Sequence, residues 1–404
     1  MPMTGPLTPA HTPIEIAHVA YTTFPADTRV KREASAAAAT GRRVAVVVLR
    51  GDGQAIEEEI AGLRVIRLRG RKSRRGPLSY LAEYCAFVGR AYKLLANDPR
   101  FARVRIVHIH TLPDFLIYAA IPARRRGARV ILDLHEIFPE FTATRYPGFA
   151  GRVAATVALW IERWARRRAD VTITVNAPID ELLANRSIGR PERRVVIHNS
   201  TDPSDFGELR DPALHPPRDL LEVVYHGTLT SLYGVDVAIR GVALASERGI
   251  KIRLTILGDG PQRASLEALV RDLGVQRLVT LEAPVQQTAL PQRLMACEAG
   301  IVPTRLDGMT RYSLSNKLLE YVHLGIPVLA ARLPTYVQYL GENAWYWTPN
   351  DPLDLARAIA DFAAASAEQL LVRTRRAQQQ LKRIAWPLER AKLQALYAEL
   401  LAPT

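Results

Sequence analysis

A lysine and a glutamate one helical turn apart are the residues best suited to bind a charged, hydroxylated ligand. Lys317 and Glu320 lie in the segment Ser313–Ala331, which predicts a loop, a short helix, a glycine stop and a strand entered through proline. Free amides at a helix N-terminus bind phosphate, and Lys317 adds a full positive charge. Glu320 is placed to accept hydrogen bonds from a ribose. This pairing indicates a nucleotide-sugar site, although helix-Gly-Pro-strand junctions are common in α/β folds.

Two glycine turns are expected to share a surface with this helix. Val223–Asp236 reads as a strand that ends before Gly227, a hydroxyl-rich turn, and a helix that begins after Gly234. Its small residues allow a ligand to approach the backbone, and its amides can bind a diphosphate. Leu257–Pro261 ends the next strand in the same way, at a place suited to a nucleobase. Each turn alone is a weak signal, and the coincidence of three is stronger.

Short apolar runs alternate with helical segments along the whole chain, which is typical of parallel strands joined by helical crossovers. In the first half, strands are expected at 14–20, 43–49, 63–69, 104–110, 128–134, 170–175 and 195–198, and helices at 28–40, 78–97, 113–126, 152–168 and 179–185. In the second half, strands are expected at 222–226, 252–257, 279–281, 299–303, 328–331 and 344–347, and helices at 235–247, 262–273, 290–297, 317–324 and 353–365. A helical tail covers 367–401, with a break near 385–387.

The predicted fold class is α/β, with two doubly wound Rossmann-like domains facing a cleft and a helical C-terminal tail. A polar, proline-rich stretch separates the halves, so we expect a first domain at 1–205, a linker at 206–220 and a second domain at 221–385. The helix at 386–404 is expected to pack back toward the first domain. Such domains bind ligands at the carboxyl ends of their strands, which places the expected site in the cleft.

Composition indicates a globular protein with anionic partners. The 404 residues carry a formal net charge of +14, and there are two cysteines, no apolar run of eighteen residues and no signal-peptide pattern. We therefore expect a cytoplasmic protein. Basic segments at 64–75 and 152–168 either contact an anionic membrane surface or form solvated basic faces. Nucleic-acid binding would rest on charge alone, because no nucleic-acid fold motif is present and interleaved aromatic residues are sparse.

The chain resembles the GT-B fold glycosyltransferases of family 4, which are retaining and use nucleotide sugars. The second domain carries the resemblance through His226–Asp236, Leu257–Pro261 and Asn316–Val328. The first domain carries it through Phe24–Val30, Val107–His110, Asp133–Glu136 and His198-Asn199. The resemblance implies transfer of a sugar from a nucleotide-diphosphate donor to a hydroxyl acceptor. The acceptor is expected to be a lipid-linked or polysaccharide intermediate, reached by a protein peripheral to the inner membrane face.

The resemblance also implies roles for single residues. Glu320 would bind the donor ribose, and Lys317 with the amides of 314–316 would hold the diphosphate. The donor-binding set is Gly227, Thr228, Tyr233, Gly258, Gly260, Arg311, Ser315, Asn316, Lys317 and Glu320. His135 and Glu136 would be catalytic, and Asp27, Arg29 and His110 would lie on the acceptor side.

The chain departs from the family pattern at three positions. Tyr312 stands where the first glutamate of the usual pair would fall, and Thr228 and Tyr233 stand where an arginine and a lysine are usual. Lys317, with Arg311, must therefore supply most of the phosphate-binding charge. The identity of the sugar does not follow from the resemblance.

Several alternatives stay open. His135 could be a histidine satisfied by backbone, His110 could be structural, and Asp27 could pair with Arg29 and cap the following helix. A non-hydrolysing nucleotide-sugar epimerase shares the expected fold. No Asp-x-Asp pair stands in a suitable loop, so we expect neither a metal nor a cofactor beyond the nucleotide sugar.

Overall fold

The computed structural model describes residues 12–70, 77–146, 148–212 and 219–402, without the side chains of 77, 78 and 80. Residues 71–75 of the basic segment at 64–75 lie outside the described residues, as does the middle of the expected linker, at 213–218. Contacts divide the chain into two compact units. One comprises the residues up to Asn199 together with those from Pro387 onward, and the other comprises Ser200–Trp386.

The first unit is built on an eight-stranded sheet of order β3-β4-β2-β1-β5-β6-β7-β8. Its strands are β1 Ile16–Thr23, β2 Val44–Leu49, β3 Glu57–Ile60, β4 Leu63–Leu68, β5 Ile106–His110, β6 Arg129–Leu134, β7 Val171–Thr174 and β8 Arg194–Val196. Its helices are α1 Thr28–Ala38, α2 Pro77–Asn97, α3 Ile121–Arg125, α4 Phe138–Arg145, α5 Phe149–Arg166 and α6 Ala177–Ala184, with 3₁₀ turns at Pro99–Phe101 and Asp114–Ala120. The central strands are buried, as expected of strands covered on both faces.

Two local predictions for this unit were wrong. The strand β3 was missed because its sequence, Glu-Glu-Glu-Ile, lacks apolar alternation, and it pairs antiparallel with β4 at the sheet edge. The helix expected at 113–126 is a 3₁₀ segment followed by the short α3. Pro122 stands near the start of α3 and has no amide to donate. An α-helix can begin at such a residue but is disfavoured from running through it.

The second unit is built on a parallel six-stranded sheet of order β11-β10-β9-β12-β13-β14. Its strands are β9 Leu221–His226, β10 Ile252–Leu257, β11 Val279–Glu282, β12 Ala299–Val302, β13 Val328–Ala331 and β14 Trp345–Trp347. Its helices are α7 Pro203–Phe206, α8 Val235–Glu247, α9 Arg263–Asp272, α10 Leu290–Met295, α11 Asn316–His323, α12 Pro334–Leu340, α13 Pro352–Ala363 and α14 Ala367–Lys382, with 3₁₀ turns at Ser231–Tyr233 and Thr310–Tyr312. The sheet lies within one apolar core.

The last helix, α15 Trp386–Leu401, follows the predicted break in the tail. From Pro387 onward it belongs to the first unit. Glu389 accepts a hydrogen bond from the His198 amide at 2.9 Å, and Tyr397 contacts His108 at 2.8 Å. The tail therefore completes the core of the first unit. No described helix is both long and apolar enough to cross a membrane.

Candidate functional site

In the second unit, the carboxyl end of β9 meets the first turns of α11. β9 ends at His226, and Gly227 follows with a positive φ of 122°. A Cβ at residue 227 would lie 2.5 Å from Cε of Lys317, so a side chain there would displace the end of the lysine from its position. The loop after β9 and the first turns of α11 therefore pack against each other.

Lys317 is held against aromatic faces. Its Nζ lies 4.0 Å from the ring centroid of Tyr233 and 5.4 Å from that of Tyr225. Burial lowers the pKa of Lys317 to about 8, and nearby Glu320 partly opposes that shift. The ring faces favour the ammonium form without neutralising it. The result is a desolvated cation that an incoming anion would stabilise strongly.

Glu320 lies one turn further along α11 and faces His226. Its Oε2 is 3.0 Å from Nε2 of His226, so the carboxylate lies beside the end of β9. The ring of Tyr321 packs edge-on against His226, and its hydroxyl donates to the Val224 carbonyl at 3.0 Å. Glu320 is partly exposed and lies beside the β9 loop, which suits a hydrogen-bond acceptor for a ligand.

The N-terminus of α11 has no side-chain cap from its N-cap residue. Ser315 is the N-cap residue, but its side chain makes no capping hydrogen bond. The first-turn amides of α11 therefore lack that partner. Ser315 is half-buried, whereas Asn316 and Arg311 are exposed. The Arg311 guanidinium lies 5.6 Å from the ring centroid of Tyr312, so this arginine is placed near the turn that precedes the helix.

The remaining predicted donor-side residues belong to the glycine turns. Gly258 packs so closely on the β9 loop that a Cβ there would lie 2.0 Å from the carbonyl oxygen of Gly227. A Cβ at Gly260 would lie 2.5 Å from the Leu229 carbonyl. Thr228 is exposed, and its carbonyl accepts a hydrogen bond from Tyr225 at 2.9 Å. The structure thus brings both turns together with α11.

In the first unit, His135 and Glu136 follow directly after β6, at the carboxyl end of the sheet. His135 Nε2 lies 2.9 Å from Oδ2 of Asp133. A carboxylate only accepts hydrogen bonds, so this ring nitrogen must donate. The Nδ1 atom of the ring is then the one left for a ligand. Glu136 is exposed, so a ligand could also reach its side chain.

Asp133 is the buried centre of this cluster. Arg29 clamps it with two hydrogen bonds, Nε to Oδ2 at 2.9 Å and Nη2 to Oδ1 at 2.8 Å, and also donates to the Ile197 carbonyl at 3.0 Å. Burial opposes ionisation, but the Arg29 guanidinium and His135 hold the pKa of Asp133 well below its usual range. Asp133 is thus a buried carboxylate anion that accepts a hydrogen bond from His135.

A row of buried histidines extends from Asp133 into the unit. His110 Nδ1 lies 3.1 Å from Asp133 Oδ2 and must donate to it, so His110 Nε2 accepts from His18 Nδ1 at 2.9 Å. His108 contacts the Tyr397 hydroxyl at 2.8 Å. Burial lowers the pKa of all three histidines, which favours their neutral forms. His110 is therefore a buried support of the cluster.

The other two residues predicted on the acceptor side, Asp27 and Arg29, also make structural contacts within the first unit. Asp27 caps α1 by accepting a hydrogen bond from the Val30 amide at 3.1 Å. Arg29 does not pair with it, because its guanidinium is taken by Asp133, Glu33 and a carbonyl. Arg29 and His110 are buried, and Asp27 is partly exposed. Among these three, Asp27 is the one whose side chain a ligand could reach.

Four donor groups in this cluster are near enough to surround one cation. Ligand atoms of Glu33, His108, His110 and Asp133 lie within 4.8 Å of one another. Arg29 already lies against both carboxylates, at 2.9 Å from Glu33 and 2.8 Å from Asp133. A dication there would stand beside a fixed positive charge, so the arrangement favours a hydrogen-bonded network over a metal site.

Sequence reasoning missed two participants. His226 was named only as part of a glycine motif, yet it contacts Glu320; its position as the last residue of β9 was the available signal. Asp133 was named only within the motif Asp133–Glu136, and its contact with His135 depends on side-chain direction two residues apart at a strand end.

Comparison with known proteins agrees with this layout. Residues 26–200 match the glycosyl transferase 4-like domain, and residues 221–364 match the glycosyl transferases group 1 domain. A putative colanic acid biosynthesis glycosyltransferase, WcaL of Escherichia coli K12, is 25% identical over 54% of this chain and 53% of its own length. An alpha-D-kanosaminyltransferase of Streptomyces kanamyceticus is 24% identical over 59% and 62%, respectively. The aligned regions thus span about half to three fifths of these curated relatives.

Solved structures show the same fold. A sucrose-phosphate synthase from Thermosynechococcus elongatus superposes with a TM-score of 0.76 at 18% identity, covering 97% of this chain and 100% of that one. HepE from Anabaena, solved in complex with UDP-glucose, superposes with a TM-score of 0.69 at 16% identity, covering 96% and 100%. The first unit matches a glycosyl transferase 4-like domain and the second matches the glycosyl transferases group 1 domain, and both are built on Rossmann-like sheets. The chain therefore belongs to the GT-B glycosyltransferases.

Proposed function

We propose that this protein transfers a sugar, with retention of anomeric configuration, from a nucleoside-diphosphate sugar to a hydroxyl acceptor. The observation that carries the proposal is the placement of Lys317 and Glu320 on α11 beside the β9 loop. A desolvated ammonium with nearby helix amides suits a diphosphate, and an oriented carboxylate suits a ribose. UDP is the first nucleotide to test, because HepE was solved with UDP-glucose.

In the proposed reaction, the bond between the anomeric carbon and the diphosphate oxygen breaks while the acceptor oxygen bonds to that carbon from the same face. The acceptor proton passes to the departing phosphate oxygen. Lys317 and the first-turn amides of α11 stabilise the negative charge that develops on the leaving group. This stabilisation needs no metal, so we propose a metal-independent enzyme whose only co-substrate is the nucleotide sugar.

We assign the acceptor end of the reaction to His135 and Glu136. Asp133 holds His135 with Nε2 pointing inward, so Nδ1 is the atom that could accept a hydrogen bond from a hydroxyl next to the reacting one. Glu136 is exposed and could orient a second hydroxyl. Asp27 could contribute a contact from the N-terminus of α1, where its carboxylate is partly exposed.

The acceptor in this proposal is a lipid-linked or polysaccharide intermediate at the cytoplasmic face of a membrane. The resemblance to WcaL, whose name places it in colanic acid biosynthesis, supports a polysaccharide acceptor. The net charge of +14 supports approach to an anionic surface. A cytoplasmic protein with peripheral membrane contact would satisfy both.

A thermal-shift screen with nucleoside diphosphates and their sugars tests the donor site. UDP should raise the midpoint of unfolding, and Lys317→Ala and Glu320→Ala should abolish or reduce that rise. Lys251→Ala is the matched control, since Lys251 is exposed before β10 at the opposite end of the strands. An unchanged shift in both site variants would refute the assignment. Conversion of the nucleotide sugar without any acceptor would instead identify an epimerase.

A further inference from the structure

The long helix α5 carries an exposed apolar stripe. Phe149 is 76% exposed, Trp160 66%, Val157 51% and Val153 48%. At 3.6 residues per turn, these four side chains fall within an arc of about 80° and along about 16 Å of helix. Exposed large apolar side chains that align in this way mark an interaction surface more often than four scattered ones would.

The opposite face of α5 anchors it to the first unit. Gly151, Ala158, Glu162, Ala165 and Arg166 are buried there. Arg166 pairs with Glu162 at 3.1 Å and with Glu192 at 2.5 Å, and these ion pairs hold its side chain in the interior of the first unit. Of the basic residues expected to form the polar face, Arg168 also folds back, with its guanidinium 3.6 Å from the ring centroid of Trp164. The helix is thus fixed with its apolar stripe outward.

Among residues 141–168, the exposed charges have one sign. Arg145 at the end of α4 and Arg152 in the first turn of α5 are both exposed. Between residues 141 and 168 the sequence has a single acidic residue, Glu162, which is 1% exposed and bound to two arginines. An apolar stripe flanked by arginines without an exposed carboxylate complements an anionic lipid surface.

We propose that the face of α5 formed by Phe149, Val153, Val157 and Trp160, with Arg145 and Arg152 beside it, docks this protein onto an anionic lipid bilayer. The aromatic rings enter the level of the lipid headgroups, and the guanidinium groups bind lipid phosphates. This inference rests on the proposed function in taking the bilayer as the carrier of the acceptor, and it names the surface that makes the contact.

A second copy of the chain fits this surface less well. The four side chains expose on the order of 500 Å², whereas a stable protein interface buries about 800 Å² on each partner. A two-fold pairing through the stripe would also bring Arg145 and Arg152 toward the same arginines of the other copy. A bilayer needs no such minimum area and supplies the opposite charge.

Vesicle co-sedimentation tests the proposal with the full chain. Vesicles of phosphatidylcholine with one third phosphatidylglycerol should bind the protein, and pure phosphatidylcholine should bind it far less. Phe149→Ser with Trp160→Ser should weaken binding about ten-fold or more, because the main apolar anchors are lost. Arg145→Gln with Arg152→Gln should weaken it several-fold and reduce its salt dependence. Leu353→Ser, at a residue 58% exposed in α13, is the matched control and should change nothing.

Quenching by brominated lipid tests the geometry of docking. Tryptophan fluorescence of the wild type should be quenched by vesicles with brominated acyl chains. Trp160→Phe should retain vesicle binding and lose most of the quenching, since Phe149 and the new phenyl ring still anchor the helix.

Three results would overturn the docking surface: no preference for anionic vesicles, equal binding by the Phe149→Ser/Trp160→Ser variant, or a dimer in sedimentation velocity that this variant abolishes. The UDP thermal shift, measured on the same samples, keeps the two proposals separate. Its persistence without vesicle binding would refute the docking surface alone, and vesicle binding without a shift by any nucleoside diphosphate would refute the donor site alone.

Discussion

Binding of UDP should weaken as the pH rises from about 7.5 to about 9, because the cation proposed to bind the diphosphate, Lys317, is a desolvated lysine. The pKa of Lys317 is lowered to about 8 by burial. At that value about three quarters of the molecules carry the charge at the lower pH and about a tenth at the higher pH. The affinity should therefore fall roughly eight-fold, or about 1.2 kcal/mol.

The sign follows from the charged form of the lysine. The pKa of Lys317 lies below that of an exposed lysine, so in the free protein the ammonium is present below about pH 8 and is lost above it. A bound diphosphate stabilises the ammonium and raises this pKa again. Binding above pH 8 must then take up a proton. The second ionisation of a phosphate, near pH 6, is complete over this range and adds little to the change.

Isothermal titration calorimetry measures both effects. The dissociation constant should rise with pH as described, and titrations at about pH 8.5 in buffers of different ionisation enthalpy should report proton uptake. Lys317→Met should bind UDP more weakly, with a flat pH profile and no linked proton. Lys251→Met should behave as the wild type, because Lys251 is exposed at the start of β10. A wild-type affinity that stays constant to pH 9 would show that a desolvated lysine is not the binding cation.

Three further substitutions test the rest of the structure. Glu320→Gln should weaken binding of UDP about ten-fold and leave 2′-deoxy-UDP little changed, since the carboxylate is assigned to the ribose; equal losses in calorimetry would contradict that role. Asp133→Asn should lower the free energy of unfolding by about 3 kcal/mol in urea, because it leaves Arg29 buried beside a neutral group; a loss under 1 kcal/mol would contradict the clamp. Gly258→Ala should cost more than about 2 kcal/mol, given the 2.0 Å approach of its Cβ to a carbonyl oxygen. Gly89→Ala, in α2 with nothing within 4 Å of the new Cβ, should be neutral or slightly stabilising, so similar effects of the two substitutions would argue against the close packing.

The α/β architecture could be predicted from the sequence because each central strand is a short apolar run next to a helix. β2, for example, is Val-Ala-Val-Val-Val-Leu, and every residue in it is buried. Periodicity carries that information without any knowledge of tertiary contacts. The helix bearing Lys317 and Glu320 could be predicted equally well, because the glycine at its end and the proline that follows mark where the helix stops and where β13 begins.

Features that depend on side-chain direction could not be predicted in the same way. The amphipathic pattern of α5 indicated a basic face, yet Arg166 is buried and the exposed side is an apolar stripe led by Phe149 and Trp160. Which side of an amphipathic helix faces inward depends on buried partners far away in sequence. Glu192 is such a partner, at 2.5 Å from Arg166. Local pattern alone could not have selected this orientation.

The departure from the family pattern at the proposed donor site has a physical consequence. The family resemblance implies a cation at residue 233, where this chain has a tyrosine whose ring lies 4.0 Å from Lys317 Nζ. The aromatic ring of Tyr233 packs against the Lys317 ammonium. Positive charge is therefore concentrated on Lys317 and is not shared with a second cation at residue 233. An arginine stays charged at every accessible pH, whereas a desolvated lysine does not. Donor binding in this protein should accordingly respond to pH in a range where an arginine-based site would not.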